Sequence, residues 1–60
     1  MSHAFLEVGA LVRNRAEPDW GLGQIQSMIR DRITVNFENR GKVVFQGADP
    51  PLDLVSPDHS

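Results

Sequence analysis

The sequence predicts an all-β protein, a small barrel of five short strands. Apolar and polar residues alternate with a period of two over most of the chain, most clearly in RITVNF at residues 32–37. This alternation is typical of a strand with one buried face. No stretch of ten or more residues repeats apolar side chains at helical spacing. Short strands joined by tight turns bury one face by curling into a barrel, which also hides most of the strand edges.

Each predicted strand is bounded by residues that interrupt a strand. The strands are residues 10–13, 22–29, 32–37, 42–46 and 52–55. The connections are a polar loop at 14–19, turns at 30–31 and 38–41, and a segment at 47–51 that breaks the pattern and has room for one 3₁₀ turn. Gly21 and Gly23, at the start of the second strand, favour the sharp bend of a barrel corner.

The alternation also predicts which side chains face the core. Inward parity falls on Ala10, Val12, Gly23, Ile25, Ser27, Ile29, Ile33, Val35, Phe37, Val43 and Phe45. Outward parity falls instead on the apolar residues Leu22, Met28 and Val44. Together with Trp20 they are the candidate protein-binding residues, since an exposed apolar patch is a common docking surface.

Length and charge exclude several classes of protein. The chain has 60 residues, six basic and eight acidic, so its net charge is −2, and it has no cysteine. One domain is therefore the ceiling, a disulfide scaffold and a cysteine-based zinc site are excluded, and a DNA-coating protein would need the opposite charge. We expect an N-terminal segment at 1–7, a barrel at 8–55 and a disordered tail at 56–60. Neither a signal peptide nor a membrane span is visible, which favours a cytoplasmic protein.

Cations gather at one predicted end of the barrel. In an up-and-down meander the first and third connections lie at the same end, which brings together Arg13, Arg15, Trp20, Arg40 and Lys42. Such a set is a candidate nucleic-acid-binding site, because cations contact phosphates and an indole stacks on a base. Glu17, Asp19 and Glu38 share that end, however, and their charges would leave a solvated mixed-charge rim. Weak, salt-sensitive DNA contact beside a protein partner is compatible with both readings.

Trp20 has two alternative roles. It follows Pro18 and Asp19 in a polar loop, outside the alternating pattern. An exposed indole is a common binding anchor. An indole folded over the mouth of the barrel would instead cap the core.

No catalytic site is predicted. The two histidines, His3 and His59, stand near opposite ends of the sequence, and catalysis requires fixed geometry between its groups. No nucleophile stands beside a base, and Gly21-Leu22-Gly23 is not followed by the helix N-terminus of a phosphate loop. We therefore expect a non-enzymatic protein with no catalytic residue, no metal and no cofactor.

Most of the chain resembles a known bacterial domain. Val12-Arg13-Asn14, then Trp20-Gly21-Leu22-Gly23 before a strand, is similar to the opening of the Tudor-like C-terminal domain of UvrD/PcrA-type DNA helicases. The strand ending in Phe37, the turn at Gly41, and Leu52-Asp53-Leu54-Val55 are similar to the rest of that pattern. CarD-type RNA-polymerase-interaction domains are more distant relatives, and a family of short stand-alone proteins carrying only this domain is also similar.

The resemblance implies an SH3/Tudor-like barrel and a docking function. Helicase and CarD-type domains of this kind contact RNA polymerase, coupling repair or transcription initiation to it. This chain carries neither a motor domain nor a separate DNA-binding domain, so the inherited function would be docking alone. We expect a non-catalytic module that binds a protein of the transcription or DNA-repair machinery, with RNA polymerase the first candidate. The alternatives are a nucleic-acid-binding barrel and a structural accessory subunit of a larger complex; the oligomeric state stays open.

Overall fold

The computed structural model describes residues 6–47 and 49–55. The expected tail at 56–60, most of the segment 1–7, and both His3 and His59 lie outside these residues. Within the described part the fold is all-β, as predicted, and consists of five antiparallel strands in one sheet. The strands are β1 (Leu11–Asn14), β2 (Leu22–Ile29), β3 (Arg32–Phe37), β4 (Gly41–Gln46) and β5 (Leu52–Leu54).

The strand order in the sheet is β4-β3-β2-β1-β5. Neighbours in sequence pair from β1 to β4, and the last strand returns to the free side of β1, where Leu54 lies opposite Val12. The sheet therefore has two edges, β4 and β5. This order and the single buried face are those of a small barrel-like sheet.

The core lies on the inner face of the curled sheet. Its buried members are Val12, Ile25, Ile33, Val35, Phe37 and Leu52. Cross-strand partners explain the grouping, since Ile25 lies opposite Val35 and Val35 opposite Val43. Ala10, Val43 and Phe45, also expected inside, are half-buried and pack against this cluster. Leu6, ahead of the predicted barrel boundary, packs against it as well.

A β-bulge changes the second half of β2. The pairing passes from Ile25 opposite Val35 to Ser27 opposite Thr34, which leaves Gln26 as an extra residue. Because side chains alternate between faces, one extra residue reverses the parity of the residues after it. Met28 therefore lies opposite Ile33 and packs against the core, while Ile29 is 63% exposed. The expected outward orientation of Met28 and the inward orientations of Ser27 and Ile29 are wrong.

The 3₁₀ turn of the described residues lies in the first loop, at Pro18–Trp20, rather than before the last strand. The N–H of Trp20 donates to the carbonyl of Glu17, and that of Gly21 donates to the carbonyl of Pro18. Pro18 suits the first position of such a turn because its φ is already fixed and its missing N–H would have no partner there. Asn14 supports the approach to the turn. It is only 3% exposed, and its Oδ1 accepts the N–H groups of Ala16 at 2.8 Å and Glu17 at 3.1 Å.

Candidate functional site

The first loop and the β3–β4 turn meet at one end of the barrel, as the meander predicts; we call this the loop end, residues 15–21 and 38–40. Asn39 joins the two segments. Its backbone N–H donates to the carbonyl of Trp20 at 3.0 Å, and its Nδ2 donates to the carbonyl of Asp19 at 3.3 Å. These two hydrogen bonds fix the 3₁₀ turn to the β3–β4 hairpin, whose strands supply residues of the core.

Trp20 is half-buried at the loop end and packs against the core. Its ring meets that of Phe37 edge-to-face, with centroids 5.2 Å apart and an interplanar angle of 65°. The Arg40 guanidinium carbon lies 5.2 Å from the centroid of the same indole. Edge-to-face aromatic pairs and a cation over an indole are both favourable geometries. The indole therefore covers the core by packing on Phe37, and the guanidinium of Arg40 lies against the same indole.

The five candidate nucleic-acid-binding residues do not form one group. Trp20 and Arg40 are together, but Arg15 is drawn to β5, where its Nη1 lies 2.8 Å from Oδ1 of Asp53. Arg13 and Lys42 are exposed on β1 and β4, and two strands lie between these. Acidic residues share the loop end, since Glu17, Asp19 and Glu38 are all exposed.

The two glycines of Trp20-Gly21-Leu22-Gly23 allow the β3–β4 hairpin to approach closely. Gly21 has φ +79°, and a Cβ there would lie 2.7 Å from Cγ of Glu38. Between the glycines, Leu22 donates its N–H to Oε2 of Glu38 at 3.0 Å and accepts the N–H of Glu38 at 2.8 Å. The glycine motif is explained by this contact within the fold.

The candidate protein-binding residues are also separated. Met28 is on the inner face, Trp20 and Leu22 are half-buried at or beside the loop end, and Val44 is 53% exposed on β4. The outer face, opposite the core, exposes other apolar side chains as well, namely Leu11 and Ile29. The outward parity of Leu11 was readable from the alternation. That of Ile29 was hidden by the bulge.

The two edges of the sheet differ in how they are protected. β5 has three residues, follows Pro50 and Pro51, and holds Asp53 in the ion pair with Arg15. Short length, proline and charge are the usual devices that prevent a strand from pairing with another chain. β4 has six residues in continuous register with β3, has no proline, and carries one charge, that of Lys42.

Within residues 6–47 and 49–55, no strand pairs with the outer side of β4, and the backbone groups on this open side are available. Just past the strand, the N–H of Gly47 donates to the carbonyl of Asp31 on the β3 side. Antiparallel pairs alternate between residues that exchange hydrogen bonds and residues that do not. The odd-numbered residues of β4 therefore direct their backbone groups toward β3, and Lys42, Val44 and Gln46 direct theirs toward the open edge.

A family model described as "Protein of unknown function (DUF3553)" matches residues 6–55. The chain belongs to the DUF3553 family. The DUF3553 match covers all five strands and begins at Leu6, the residue that packs against the core ahead of β1. Comparisons with curated proteins and with solved structures found no match.

Residues 6–47 and 49–55 contain no helix of the length and hydropathy needed to cross a membrane. Nor do they contain a group of three or more histidine, cysteine, aspartate or glutamate side chains arranged to hold a metal ion.

Proposed function

We propose that this chain is a non-catalytic docking module that acts in the cytoplasm and binds a protein partner by adding a strand of that partner to β4. The observation that carries the proposal is the contrast between the two edges, with β5 protected and β4 open. Strand addition to an open edge is a common way for a small β-domain to bind another protein.

Three features of β4 support strand addition. The backbone groups of Lys42, Val44 and Gln46 supply main-chain hydrogen bonds on the open side. Val43 and Phe45 are half-buried against the core, so a neighbouring strand would remove more of their surface from water. Val44 presents an exposed apolar side chain on the outer face. Hydrogen bonds give the pairing affinity, and the side chains on each face give specificity.

RNA polymerase is the first partner to test, within the transcription or DNA-repair machinery. The support is the similarity of residues 12–14 and 20–25 to the Tudor-like domain of UvrD/PcrA-type helicases. A structural accessory subunit would bind a different complex through the same edge.

The test uses purified bacterial RNA polymerase and biolayer interferometry. Val44→Pro removes an N–H that faces the open edge and leaves the hydrogen bonds to β3, while Val44→Lys places a charge at the edge. Gln24→Lys is the matched control, because it adds the same charge to the outer face of β2. We expect both Val44 variants to lose binding and Gln24→Lys to retain it.

Two results would contradict different parts of the proposal. Wild-type protein that fails to bind polymerase would remove polymerase as the partner. Polymerase binding that survives both Val44 substitutions would remove β4 as the docking edge. Thermal unfolding of each variant, followed by circular dichroism, separates lost binding from lost folding.

Nucleic acid is the second candidate partner, and the contact between Arg40 and Trp20 is the observation that favours it. An indole with a neighbouring cation can stack on a base and contact a phosphate. Fluorescence anisotropy with single-stranded DNA and RNA at low and moderate salt tests this reading. The expected binding is weak, falls as salt rises, and is reduced by Arg40→Gln; no binding at low salt would exclude it.

A further inference from the structure

We infer that β4 also pairs with β4 of a second copy of this chain, in an antiparallel register centred on Val44. The pairing follows from the edge geometry alone. A further consequence rests on the proposed function: a self-paired β4 covers the docking strand, so that the single chain is the form that binds a partner.

The backbone selects the register. Two antiparallel copies related by a two-fold axis must place the outward-directed residues of one strand opposite those of the other. Centring the pair on Val44 places Val44 opposite itself and Lys42 opposite Gln46 of the second copy. Each of these residues then donates one hydrogen bond and accepts one, about six in all. If the pair were centred on Val43 instead, Gln46 would no longer lie opposite Lys42, and hydrogen bonds between the two strands would be lost.

The side chains agree with the same register. The single charge of the strand, on Lys42, faces the neutral amide of Gln46 and not its own copy. On the outer face, the exposed Val44 side chains become cross-strand partners. On the inner face, the half-buried Val43 lies opposite Phe45 of the second copy, which extends both cores. Apolar and β-branched cross-strand pairs of this kind stabilise sheets.

The expected association is weak. A pair of six-residue strands is a small interface beside the roughly 1,600 Å² that a standard specific complex buries. Self-pairing should therefore depend on protein concentration, which suits a contact that a partner strand displaces.

Cysteine crosslinking tests the register, because the natural chain has no cysteine. In the pair centred on Val44, the two copies of residue 44 have Cα atoms about 5.5 Å apart, within the range that a disulfide spans. Val44→Cys should therefore form a disulfide-linked dimer under mild oxidation. Gln46→Cys is the matched control, since it is exposed on the same face of the same edge. It lies four residues from its copy, roughly 13 Å, which is too far for a disulfide.

We expect Val44→Cys to crosslink at least about tenfold faster than Gln46→Cys at equal concentration, given these distances. Equal rates for the two variants would overturn the self-pairing, and faster crosslinking of Gln46→Cys would overturn the register. Masking is read separately, from wild-type binding to polymerase as a function of total wild-type concentration. Binding per chain should fall at the concentrations where the Val44→Cys crosslink shows pairing. If binding per chain stays constant across that range, masking is wrong although the pairing stands; if wild type does not bind at any concentration, the polymerase assignment fails instead.

Discussion

Gly23 lies directly against the ring of Phe37, its cross-strand partner. A Cβ at residue 23 would come within 2.6 Å of Cδ1 and Cε1 of Phe37, and within 2.6 Å of Cγ1 of Val35. Both neighbours are fully buried, so neither has free space to move into. The ring of Phe37 therefore occupies the place where any other residue at position 23 would have its side chain.

Gly23→Ala should destabilise the protein, because the added methyl group overfills a packed core. The expected cost is about 1–3 kcal/mol, and each kcal/mol lowers the unfolding temperature of so small a domain by roughly 4–8 °C. Thermal unfolding followed by circular dichroism measures it. The Gly23→Ala/Phe37→Leu double variant is the control. If the clash is the cause, the double variant loses less than the sum of the two single changes.

Trp20→Ala should also destabilise, because it removes the indole that packs on Phe37. The ring is half-buried, so we expect about 2 kcal/mol, below the range for a fully buried aromatic residue. Trp20→Phe keeps an aromatic edge-to-face contact and should lose less than half of that. Urea unfolding of both variants checks the prediction. Equal stability of wild type and Trp20→Ala would contradict the capping role and leave the indole as a surface residue.

Asn14→Ala should cost about 1–3 kcal/mol in the free energy of unfolding, since it leaves the N–H of Ala16 without its acceptor in a partly buried place. The N–H of Glu17 loses the side-chain acceptor but keeps the backbone carbonyl of residue 14 at 3.2 Å. Asn14→Asp keeps an oxygen acceptor at the same position and is the matched comparison. Measured by urea unfolding, the free energy of unfolding of Asn14→Asp should be well above that of Asn14→Ala. The reverse order would show that the amide serves a different purpose from holding the first loop.

Arg15→Gln and Asp53→Asn should each change the free energy of unfolding by less than about 1 kcal/mol, despite a short ion pair. The two side chains are 56% and 58% exposed, so water and salt screen their attraction. Unfolding in low and high salt measures the pair, and wild-type stability should fall only slightly as salt rises. A loss of several kcal/mol on either substitution would contradict this prediction.

Alternation alone recovers the strands and most of the core, because a strand with one buried face repeats apolar residues at every second position. It fails after Gln26, where the bulge adds a residue that neither glycine nor proline marks in the sequence. The error is confined to the residues of β2 after the bulge, where Ser27, Met28 and Ile29 lie on the faces opposite to those expected.

The candidate site is only partly predictable for a similar reason. The meander brings the first loop and the β3–β4 turn together, as expected from topology. The contacts of Arg15 with Asp53 and of Arg40 with Trp20 could not be predicted in this way. A long side chain can reach several neighbours, and the alternation of apolar and polar residues does not indicate which one it contacts. The open edge of β4 depends on the strand order, which is set by the return of β5 to β1.

The return of β5 to β1 also affects how the chain acquires its structure. β2, β3 and β4 pair through short turns, so their contacts join residues close in sequence and can form early. β5 carries Leu52 and Leu54, which pack in and against the core. Its partner strand is β1, which lies far back in the sequence. On the ribosome, the hydrophobic core consequently stays incomplete until β5 has been synthesised. A separate peptide carrying β5 should complete a chain that stops before it, as in a split-protein reporter.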